Sequence, residues 1–435
     1  GKFIERMVGI QETIKKGKGK THIKGWVYRI RKGKNLIFLI MRDSKNIIQC
    51  VVEKEKVSEN IWKDAEKILT ESAVEIDGKV SKDDRAPTGY EIKVEKLNVV
   101  HFSEVFPIAK DLSTEFLADN RHLWLRSRKM NAIMKIRSKV FGAIHDYFRS
   151  NDYYEFQSPI FQATQGEGGS TMFTVPYFGK ELYLAQTWQL YAEAAIFSLE
   201  KIYCIAPSFR AEKSVTSRHL TEYWHAEMEI LWNTFDDLQD EAEGLLRNIV
   251  KLVLKDCKEE LEILKRDTKK LEATAKKKFP RITYTEALKI LDKKCKLKVK
   301  WGKDLRTIEE DKLGELYDTP IIVTRYPKEV KAFYMKEDPE DNKVVLGFDV
   351  IGPDGYGELF GASQRETDVE LLKERLTKEG EDLNNYEYYF DTRRYGSVPH
   401  GGFGMGVERV ISWICGLDTI KDAIPFPRNP TRFTP

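Results

Sequence analysis

Five short segments rich in β-branched and aromatic residues constrain the fold of the N-terminal part of the chain. They lie between residues 21 and 103, and turn-forming residues such as Gly33, Asn46 and Gly78 separate them. Segments of this length and composition, bounded by turn residues, are typical of β-strands. One helical stretch, Glu59 to Thr70, lies among them. The pattern predicts a small β-domain with a single helix.

Five strands within about 80 residues fit the OB-fold barrel, a five-stranded β-barrel. We therefore predict an OB-fold domain over residues 21–103. Barrels of this type commonly bind single-stranded nucleic acid, because aromatic side chains on a strand face stack on the bases.

Two segments flank the predicted barrel. Residues 1–20 form a basic N-terminal segment without the apolar core of a signal peptide. The chain begins with Gly1 instead of a methionine, which is consistent with removal of preceding residues. Lys and Arg dominate residues 17–34, which would attract phosphate groups, although a solvated strand end explains them equally well. Residues 104–125 are predicted to be a linker because no clean period follows Phe106-Pro107.

The rest of the chain, residues 126–435, contains segments of helical and of strand-like pattern and is predicted to form an α+β domain. Apolar residues recur at helical spacing from Lys129 to Arg149, and residues 235–279 form a charged helical segment that ends before Pro280. Several pieces have the composition of strands, and they are Tyr154–Phe161, Glu181–Ala185, Ile202–Phe209, Glu222–Leu231, Pro320–Thr324, Val344–Val350 and Glu358–Phe360.

Composition places the chain among ordinary globular proteins. It has 435 residues, 41% hydrophobic and 32% charged, and a net charge of +3 that neither requires nor excludes a nucleic-acid partner. No apolar run approaches the roughly 20 residues that span a bilayer, so no membrane partner is expected. The five cysteines are scattered and lack C-x-x-C spacing, which favours reduced thiols in a cytoplasmic protein.

Three groups of residues could carry chemistry, and each alone is weak. Gly402 to Arg409, G-F-G-M-G-V-E-R, would let a ligand approach the backbone and an arginine. Phe209 to Glu229 contains F-R-A-E and R-H-L-T-E-Y-W-H-A-E-M-E, a predicted hairpin with arginines that could hold a triphosphate. Gly355 to Glu366, with Asp349 upstream, offers carboxylates of the kind that bind Mg²⁺ together with phosphates.

Together these groups resemble the signature motifs of the class II aminoacyl-tRNA synthetases. Tyr154 to Ile160 resembles motif 1, Phe209 to Glu229 motif 2 and Gly402 to Arg409 motif 3, in the family's order. The predicted OB-fold suits the aspartate, asparagine and lysine subgroup. The resemblance implies an antiparallel sheet flanked by helices, a homodimer formed through motif 1, and an OB-fold that binds the tRNA anticodon.

The resemblance also implies a role for each matching residue in ATP binding. Arg210 would stabilise the α-phosphate, Glu212 would accept a hydrogen bond from the adenine amino group, and Tyr223 and Arg409 would sandwich the base. The expected catalytic residues are Arg210, Arg409 and His219. The expected ATP-binding residues are Arg210, Glu212, Arg218, His219, Tyr223, Glu358, Gly406 and Arg409. Asp349 and Glu358 would hold Mg²⁺.

The amino-acid substrate is predicted to be L-asparagine. By resemblance, the residues that bind it are Glu167, Gln189, Glu227, Ser363 and Arg365. Glu227 stands where aspartate-specific members generally carry Asp, and Gly361 where they typically carry Ser; His225 also fits the asparagine form. A glutamate at this position would accept from the substrate amide and repel a substrate carboxylate.

In the predicted barrel, Arg29, Phe38 and Gln49 resemble the residues that bind the anticodon of tRNA(Asn). Phe38 would stack on a base, although a core position in the barrel is the more common place for such a residue.

Several alternatives stay open. The substrate could be aspartate, with one or both tRNAs accepted. Ammonia could replace tRNA, as in an asparagine synthetase, although the predicted anticodon domain argues against that reaction. A non-catalytic RNA-binding protein is disfavoured by the presence of Arg210, Glu212, Glu358 and Arg409 together. Val215 and Ser217 replace arginines that are frequent in the motif 2 loop, which puts the loop's grip on the tRNA acceptor end in doubt.

Overall fold

The computed structural model describes residues 8–164 and 171–435. The chain forms two compact units, Gly1–Asn120 and Arg121–Pro435. Among the helices described, none is both long and apolar enough to cross a lipid bilayer.

The first unit is built around a closed barrel with strand order β1-β2-β3-β5-β4. Its elements in chain order are α1 (Ile10–Lys16), β1 (Gly19–Lys32), β2 (Leu36–Arg42), β3 (Ile47–Glu53), α2 (Glu59–Lys67), β4 (Ala73–Lys82), β5 (Tyr90–His101) and α3 (Thr114–Asp119). The predicted five-stranded OB-fold barrel is therefore confirmed.

Strand alternation determines which side chains fill the barrel. In β2, Ile37, Leu39 and Met41 are buried in the core, whereas Phe38 points outward and is half-buried. At Gly78, where β4 and β5 pair with a bulge, an added Cβ would lie 2.2 Å from the Lys93 carbonyl oxygen. Only glycine permits so close an approach between strands.

The segments that flank the barrel contain short helices. The basic segment contains α1, which packs on the barrel because Ile10 is buried in the barrel core. Strand β1 begins at Gly19. The predicted linker, residues 104–125, is not free of structure, since it contains α3 and a short helix, α4 (Arg121–Trp124). Arg121 is buried and donates to backbone oxygens of the second unit, which periodicity cannot indicate.

The second unit continues with short strands and long helices. After α4 come α5 (Arg128–Ser150), β6 (Tyr154–Glu155), β7 (Phe161–Gln162), β8 (Thr174–Tyr177), β9 (Lys180–Leu184), α6 (Gln189–Leu199), β10 (Lys201–Phe209), β11 (Glu222–Leu231), α7 (Phe235–Asp256), α8 (Lys258–Ile263), α9 (Lys269–Lys276), β12 (Arg281–Thr283), α10 (Tyr284–Cys295) and α11 (Thr307–Gly314). The last elements are β13 (Ile321–Thr324), β14 (Glu337–Asp338), β15 (Asp341–Val345), β16 (Gly347–Gly352), β17 (Gly357–Gln364), α12 (Val369–Lys378), α13 (Glu387–Arg394), β18 (His400–Gly406) and α14 (Val407–Cys415).

Within the described residues, a large sheet with the order β12-β13-β16-β17-β18-β11-β10-β6 organises this unit. Its central pairs are antiparallel, and parallel pairs form only at the two ends, β12 with β13 and β10 with β6. Helices α5 and α7 cover one face. The helix predicted over Lys129–Arg149 matches α5, whose residues Ile133, Ile136, Val140, Ile144 and Phe148 are buried. The α+β class and the sheet flanked by helices are confirmed.

Two predicted segments are less regular than expected. The run Tyr154–Phe161 forms only the two-residue strands β6 and the start of β7, because Pro159 removes a backbone donor between them. The charged helical segment, residues 235–279, is divided into α7, α8 and α9. Thr234 and Asp237 form a capping box at the start of α7, so this helix begins at a fixed point.

Candidate active site

Successive side chains of β11 point to opposite faces of the large sheet. Ala226 and Met228 lie in the hydrophobic core beneath α5 and α7. His225, Glu227 and Glu229 therefore point to the opposite face of the sheet, which α5 and α7 leave open.

The glycines of β18 make room for these side chains. Gly404 pairs with Glu227 and Gly402 with Glu229 across the two strands. A Cβ on Gly404 would lie 2.3 Å from His225 Nε2, and one on Gly402 would lie 2.2 Å from Glu229 Oε1. We expected the glycines to admit a ligand to the backbone, but at these two positions they admit side chains from the neighbouring strand.

One cavity, of about 270 Å³, lies above this open face. All the residues predicted to bind ATP line it, namely Arg210, Glu212, Arg218, His219, Tyr223, Glu358, Gly406 and Arg409. The neighbouring walls come from α11 and the end of the chain, through Thr307, Glu310 and Ile420.

Cationic side chains on the walls of this cavity are held by specific partners. Arg218 forms an ion pair with Asp311 of α11 at 2.8 Å, and Arg409 donates to the Arg218 carbonyl oxygen at 3.0 Å. The Arg210 guanidinium lies 5.7 Å from the centre of the Tyr223 ring. Three arginines thus line one cavity, where they can contact an anionic ligand.

His219 stands at the outer part of the motif 2 segment. Its Nε2 is 3.7 Å from Glu212 Oε2, and its Nδ1 is hydrogen-bonded to Thr216. Burial lowers the pKa of His219, and the neighbouring Arg409, Arg210 and Arg218 lower it further, although Glu212 opposes them. The imidazole is therefore mainly neutral near pH 7 before any phosphate binds.

Three carboxylates meet at the inner end of the cavity. Ligand atoms of Glu310, Asp349 and Glu358 lie within 4.8 Å of one another. Burial and mutual repulsion raise the pKa of Glu310 to about 9 and that of Glu358 to about 8. Burial also raises the pKa of Asp349, although Lys331 Nζ lies 3.2 Å from Asp349 Oδ2 and opposes the shift. Such crowding marks a place where bound positive charge would be strongly stabilised.

Glu310 is a member of this group that the sequence did not reveal. It lies in T-I-E-E-D-K-L-G, which reads as an ordinary charged helix, and only the fold brings α11 beside β16 and β17. Lys331 lies between Asp349 and Asp304, with Asp304 Oδ1 at 3.9 Å.

A second cavity, of about 370 Å³, adjoins the first. Three of the predicted amino-acid-binding residues line it, namely Gln189, Glu227 and Arg365. Ser363 does not line it but lies directly behind, where its Oγ accepts from Arg365 Nη1 at 2.8 Å. Glu167 lies outside the described residues.

Arg365 is fixed in this second cavity by a buried acid. Its Nε donates to Glu229 Oε1 at 3.1 Å, its Nη2 also donates to Glu229, and its guanidinium lies 5.1 Å from the Tyr334 ring centre. Burial raises the pKa of Glu229 to about 8, although Arg365 opposes the shift. The pair thus presents the Arg365 guanidinium as a rigid donor fork.

Glu227 is held just as tightly. Its carboxylate accepts from the Thr187 hydroxyl and from the Trp188 backbone N–H at 2.8 Å, and His225 Nδ1 lies 3.6 Å away. These donors orient the carboxylate and compensate its burial. A carboxylate oxygen has two acceptor sites, so Glu227 keeps capacity to accept from a further donor in the cavity.

A buried network orients Gln189. Gln189 Nε2 donates to Glu193 Oε2 at 3.0 Å, and Glu193 also binds Arg393 and His400 at 2.9 and 2.8 Å. Because Glu193 can only accept when ionised, it selects the amide nitrogen of Gln189 and leaves the amide oxygen for another donor. Nothing in the sequence linked Gln189 and Glu193 of α6 with Arg393 and His400, since Arg393 lies 200 residues after Glu193.

The two cavities share part of their walls. Arg210, His225, Glu358 and Gly404 line both. Ligands in the two cavities would therefore meet beside the Arg210 guanidinium. An arginine between two bound anions or dipoles is positioned to stabilise charge that develops between them.

In the barrel, the residues predicted to bind an anticodon share the outer surface. Arg29 of β1 and Gln49 of β3 both pair with Ile40 of the strand between them, β2. Phe38 pairs with Arg31, and the Arg31 guanidinium lies 4.4 Å from the centre of the Phe38 ring. Gln49 Nε2 donates to Glu91 at 2.6 Å. Phe38 is therefore a surface aromatic among cationic and polar groups and not part of the barrel core.

The predicted motif 1 segment borders a patch of exposed aromatic side chains. Tyr154 and Phe161 are exposed, and Phe161 contacts Tyr177, which in turn contacts the exposed Phe178. Exposed apolar patches of this kind often mark contacts between proteins.

Comparisons with known proteins identify relatives of this chain. The family model described as tRNA synthetases class II (D, K and N) matches residues 113–430, and the OB-fold nucleic acid binding domain matches residues 21–100. The asparagine–tRNA ligase of Thermoplasma acidophilum is 47% identical over 416 residues, 96% of each chain. The asparaginyl-tRNA synthetase of Pyrococcus horikoshii, solved with asparaginyl-adenylate, aligns with a TM-score of 0.94 at 45% identity, covering 99% of this chain and 100% of that one. An aspartyl-tRNA synthetase of Entamoeba histolytica is less similar, at 27% identity and a TM-score of 0.84, covering 99% of this chain and 93% of that chain.

Proposed function

This chain belongs to the class II tRNA synthetases for aspartate, lysine and asparagine, and from that membership we propose how its residues carry out the ligation of asparagine to tRNA. The enzyme is an asparagine–tRNA ligase: it activates L-asparagine with ATP and transfers it to the 3′ end of tRNA(Asn). The observation that supports our assignment of residues is the pair of adjoining cavities, which meet at Arg210.

In this proposal ATP occupies the cavity lined by Arg210, Arg218, His219, Tyr223 and Arg409. Tyr223 and Arg409 enclose the adenine, and Glu212 accepts from its amino group. Arg218 and His219 bind the outer phosphates. Because Arg218 already pairs with Asp311, the ATP phosphates exchange one anionic partner for another and meet an arginine that is already oriented.

Asparagine occupies the second cavity. The amide oxygen of Gln189 receives the substrate ammonium group, because Glu193 holds the amide nitrogen. Arg365 donates to the side-chain carbonyl, and Glu227 accepts from the side-chain NH₂. An aspartate side chain would place a carboxylate against Glu227, which is the basis of selection.

Activation then needs no general base. The substrate carboxylate attacks the α-phosphorus, the bond from the α-phosphorus to the bridging oxygen breaks, and pyrophosphate leaves with that electron pair. Arg210, which lines both cavities, stabilises the charge on the α-phosphate as the bond forms.

Glu310, Asp349 and Glu358 are suited to hold Mg²⁺. Three closely spaced carboxylates that raise one another's pKa fit a hard divalent cation, which prefers oxygen ligands and phosphates. Bound Mg²⁺ would neutralise charge on the phosphates of ATP. Lys331 compensates part of the acidic charge from within the protein.

The remaining expectations concern assembly, the anticodon and location. Two copies would associate through the motif 1 region, where Phe161, Tyr177 and Phe178 offer an apolar surface. Phe38 would stack on an anticodon base, with Arg29 and Gln49 beside it. We place the enzyme in the cytoplasm, where tRNA is charged and where free cysteines such as the buried Cys50 and Cys204 stay reduced.

Charging of tRNA by the purified chain tests the substrate. Total tRNA is incubated with ATP, Mg²⁺ and either labelled asparagine or labelled aspartate. We expect asparagine alone to be incorporated. Incorporation of aspartate would mean that Glu227 and Arg365 do not select as proposed, and asparagine formed from aspartate and ammonia without charging would indicate the synthetase reaction instead.

A further inference from the structure

A lysine-rich segment of the catalytic unit has no part in the chemistry described so far. It follows α10 and reads K-L-K-V-K-W-G-K from Lys296 to Lys303. Lys296 ends α10 with a left-handed conformation, φ 55°, and residues 297–300 after it form neither helix nor strand.

Exposure alternates along this segment, so its side chains fall into two groups. Leu297 and Val299 pack against the small hydrophobic core formed by α10, α11 and β13. Lys296, Lys298 and Lys300 alternate with them and are exposed. We call Lys296, Lys298, Lys300 and Lys303 the lysine stripe.

The stripe carries positive charge that the protein itself does not neutralise. Within the described part of the chain, the four ammonium groups take no part in an ion pair, whereas the nearby Lys312 and Lys331 each have a carboxylate partner. Four like charges within eight residues repel one another, so a polyanion placed along them would be bound favourably.

The segment is held rigidly. The Trp301 indole N–H donates to Thr285 Oγ1 at 3.0 Å, and the ring packs edge-on against Tyr284 while 42% of Trp301 stays exposed. The Tyr284 hydroxyl donates to the Lys303 carbonyl oxygen and accepts from the Gly302 N–H at 3.3 Å. RNA-binding surfaces combine aromatic side chains, which stack on bases, with cations, which contact phosphates. This turn offers both kinds of group in a fixed arrangement.

The stripe also ends at the active site. Asp304, directly after Lys303, lies 3.9 Å from Lys331 of the asparagine cavity, and Thr307 and Glu310 line the ATP cavity. The RNA substrate must bring its 3′ end to the junction of these two cavities, so its backbone passes over the rim nearby.

We propose that the lysine stripe and Trp301 form a binding surface for the phosphate backbone of the tRNA acceptor arm. The inference rests on the ligation of asparagine to tRNA and adds a surface that guides the acceptor arm towards the catalytic unit. The contact is with phosphates and is therefore independent of sequence. It supplies cationic groups in an enzyme whose motif 2 loop carries Val215 and Ser217.

The test compares two triple variants of the full chain. In the stripe variant Lys296, Lys298 and Lys300 become Ala. In the matched control, three exposed lysines near the end of α7 become Ala, namely Lys251, Lys255 and Lys258. Binding of intact tRNA(Asn), and of a minihelix that contains only its acceptor arm, is measured as Kd over a range of salt concentrations.

We expect the stripe variant to bind both RNAs about tenfold more weakly at low salt, with the slope of log Kd against log salt reduced by about one for each lysine that contacts a phosphate. Pyrophosphate exchange with asparagine should stay unchanged, and Lys→Arg at the same three positions should restore binding. The control should bind as the parent does.

An unchanged Kd and salt slope in the stripe variant would overturn the proposal. Weakened binding of intact tRNA with normal binding of the minihelix would also overturn it, because the stripe would then act elsewhere on the tRNA. If the parent chain charges no asparagine at all, the underlying function fails, and that result is visible before any variant is made.

Discussion

At the scale of single residues, both cavities are bordered by charged side chains that each face a specific partner. Arg365 is paired with Glu229, Arg218 with Asp311 and Lys331 with Asp349. Each pair holds a long side chain in one geometry, so binding of the proposed substrates would lose less conformational entropy. Removing one member of the buried Arg365–Glu229 pair would leave the other buried without compensation.

Arg409→Ala should nearly abolish activation. The guanidinium lines the ATP cavity and is anchored on the Arg218 carbonyl, and its loss removes a fixed positive group from the phosphate and adenine site. We expect pyrophosphate exchange to fall by about 10²–10³. Arg394→Ala, which changes an exposed ion pair on α13, is the matched control and should exchange normally. Near-normal exchange in Arg409→Ala would refute the assignment of motif 3.

His219 should make ATP binding depend on pH. Burial holds the pKa of His219 below its usual value of about 6.5 in the free enzyme. Bound phosphates would raise that pKa, so ATP binding takes up a proton and strengthens as pH falls through this range. The ratio of KM for ATP in His219→Gln to that in the parent cancels the titration of ATP itself. We expect this ratio to increase as pH is lowered from 7.5 to about 6; a ratio that stays constant would exclude contact between His219 and the phosphates.

Some site residues could be predicted from the sequence and others could not. Arg210, Glu212, His219 and Arg409 were predicted because motifs 2 and 3 are local patterns, and the fold places all four in one cavity. Glu310 was missed because its importance comes from the distance between α11 and the strands β16 and β17, which no local pattern encodes.

At the scale of elements, the glycines of strand β18 are explained by the side chains of its neighbour β11. Its glycines leave space into which β11 inserts His225 and Glu229, and Phe403 and Met405 between them fill the core below. One strand thus presents an open surface on one face and a packed surface on the other. The alternation of β11 could be read from the sequence, but the reason for the glycines of β18 required knowledge that the two strands are adjacent.

Gly402→Ala should destabilise the catalytic unit. The new Cβ would lie 2.2 Å from Glu229 Oε1 and 2.3 Å from the Met228 carbonyl oxygen, and the latter is backbone that cannot easily move. We expect a loss of about 1–3 kcal/mol in the free energy of unfolding. Gly142→Ala in α5 meets nothing within 4 Å and should instead gain about 0.5–1 kcal/mol. Thermal unfolding of both variants measures the difference, and equal melting temperatures would show that β18 relaxes.

At the scale of the whole molecule, the chain consists of two compact units with different chemistry. The first is a small barrel whose outer face carries Phe38, Arg29 and Gln49, and the second contains both cavities. The barrel and the α+β class could be predicted because strand periodicity and turn residues are strong local signals. The segment between them was harder, since α3 and α4 are short helices without a clean apolar period.

Phe38→Ala should separate the two activities. The ring lies on the outer face of the barrel, so its loss should weaken tRNA binding by about 1–3 kcal/mol, the usual contribution of one stacked base. The kcat/KM for tRNA charging should fall accordingly, while pyrophosphate exchange stays at the parent level. Phe38→Tyr keeps the aromatic face and should charge tRNA normally. Equal loss of both activities would indicate a folding role for Phe38.

The shared wall of the two cavities has a consequence for inhibition. Because Arg210, His225, Glu358 and Gly404 border both, a single molecule can occupy both cavities without crossing a partition. Joining two weak ligands in this way makes the second binding event intramolecular, and the gain over either ligand alone can reach about 10²–10⁴. A stable mimic that links an asparagine-like head to an adenosine-like tail is therefore a natural starting point for a bisubstrate inhibitor, and a carboxylate in place of the amide in its head would be expected to weaken it.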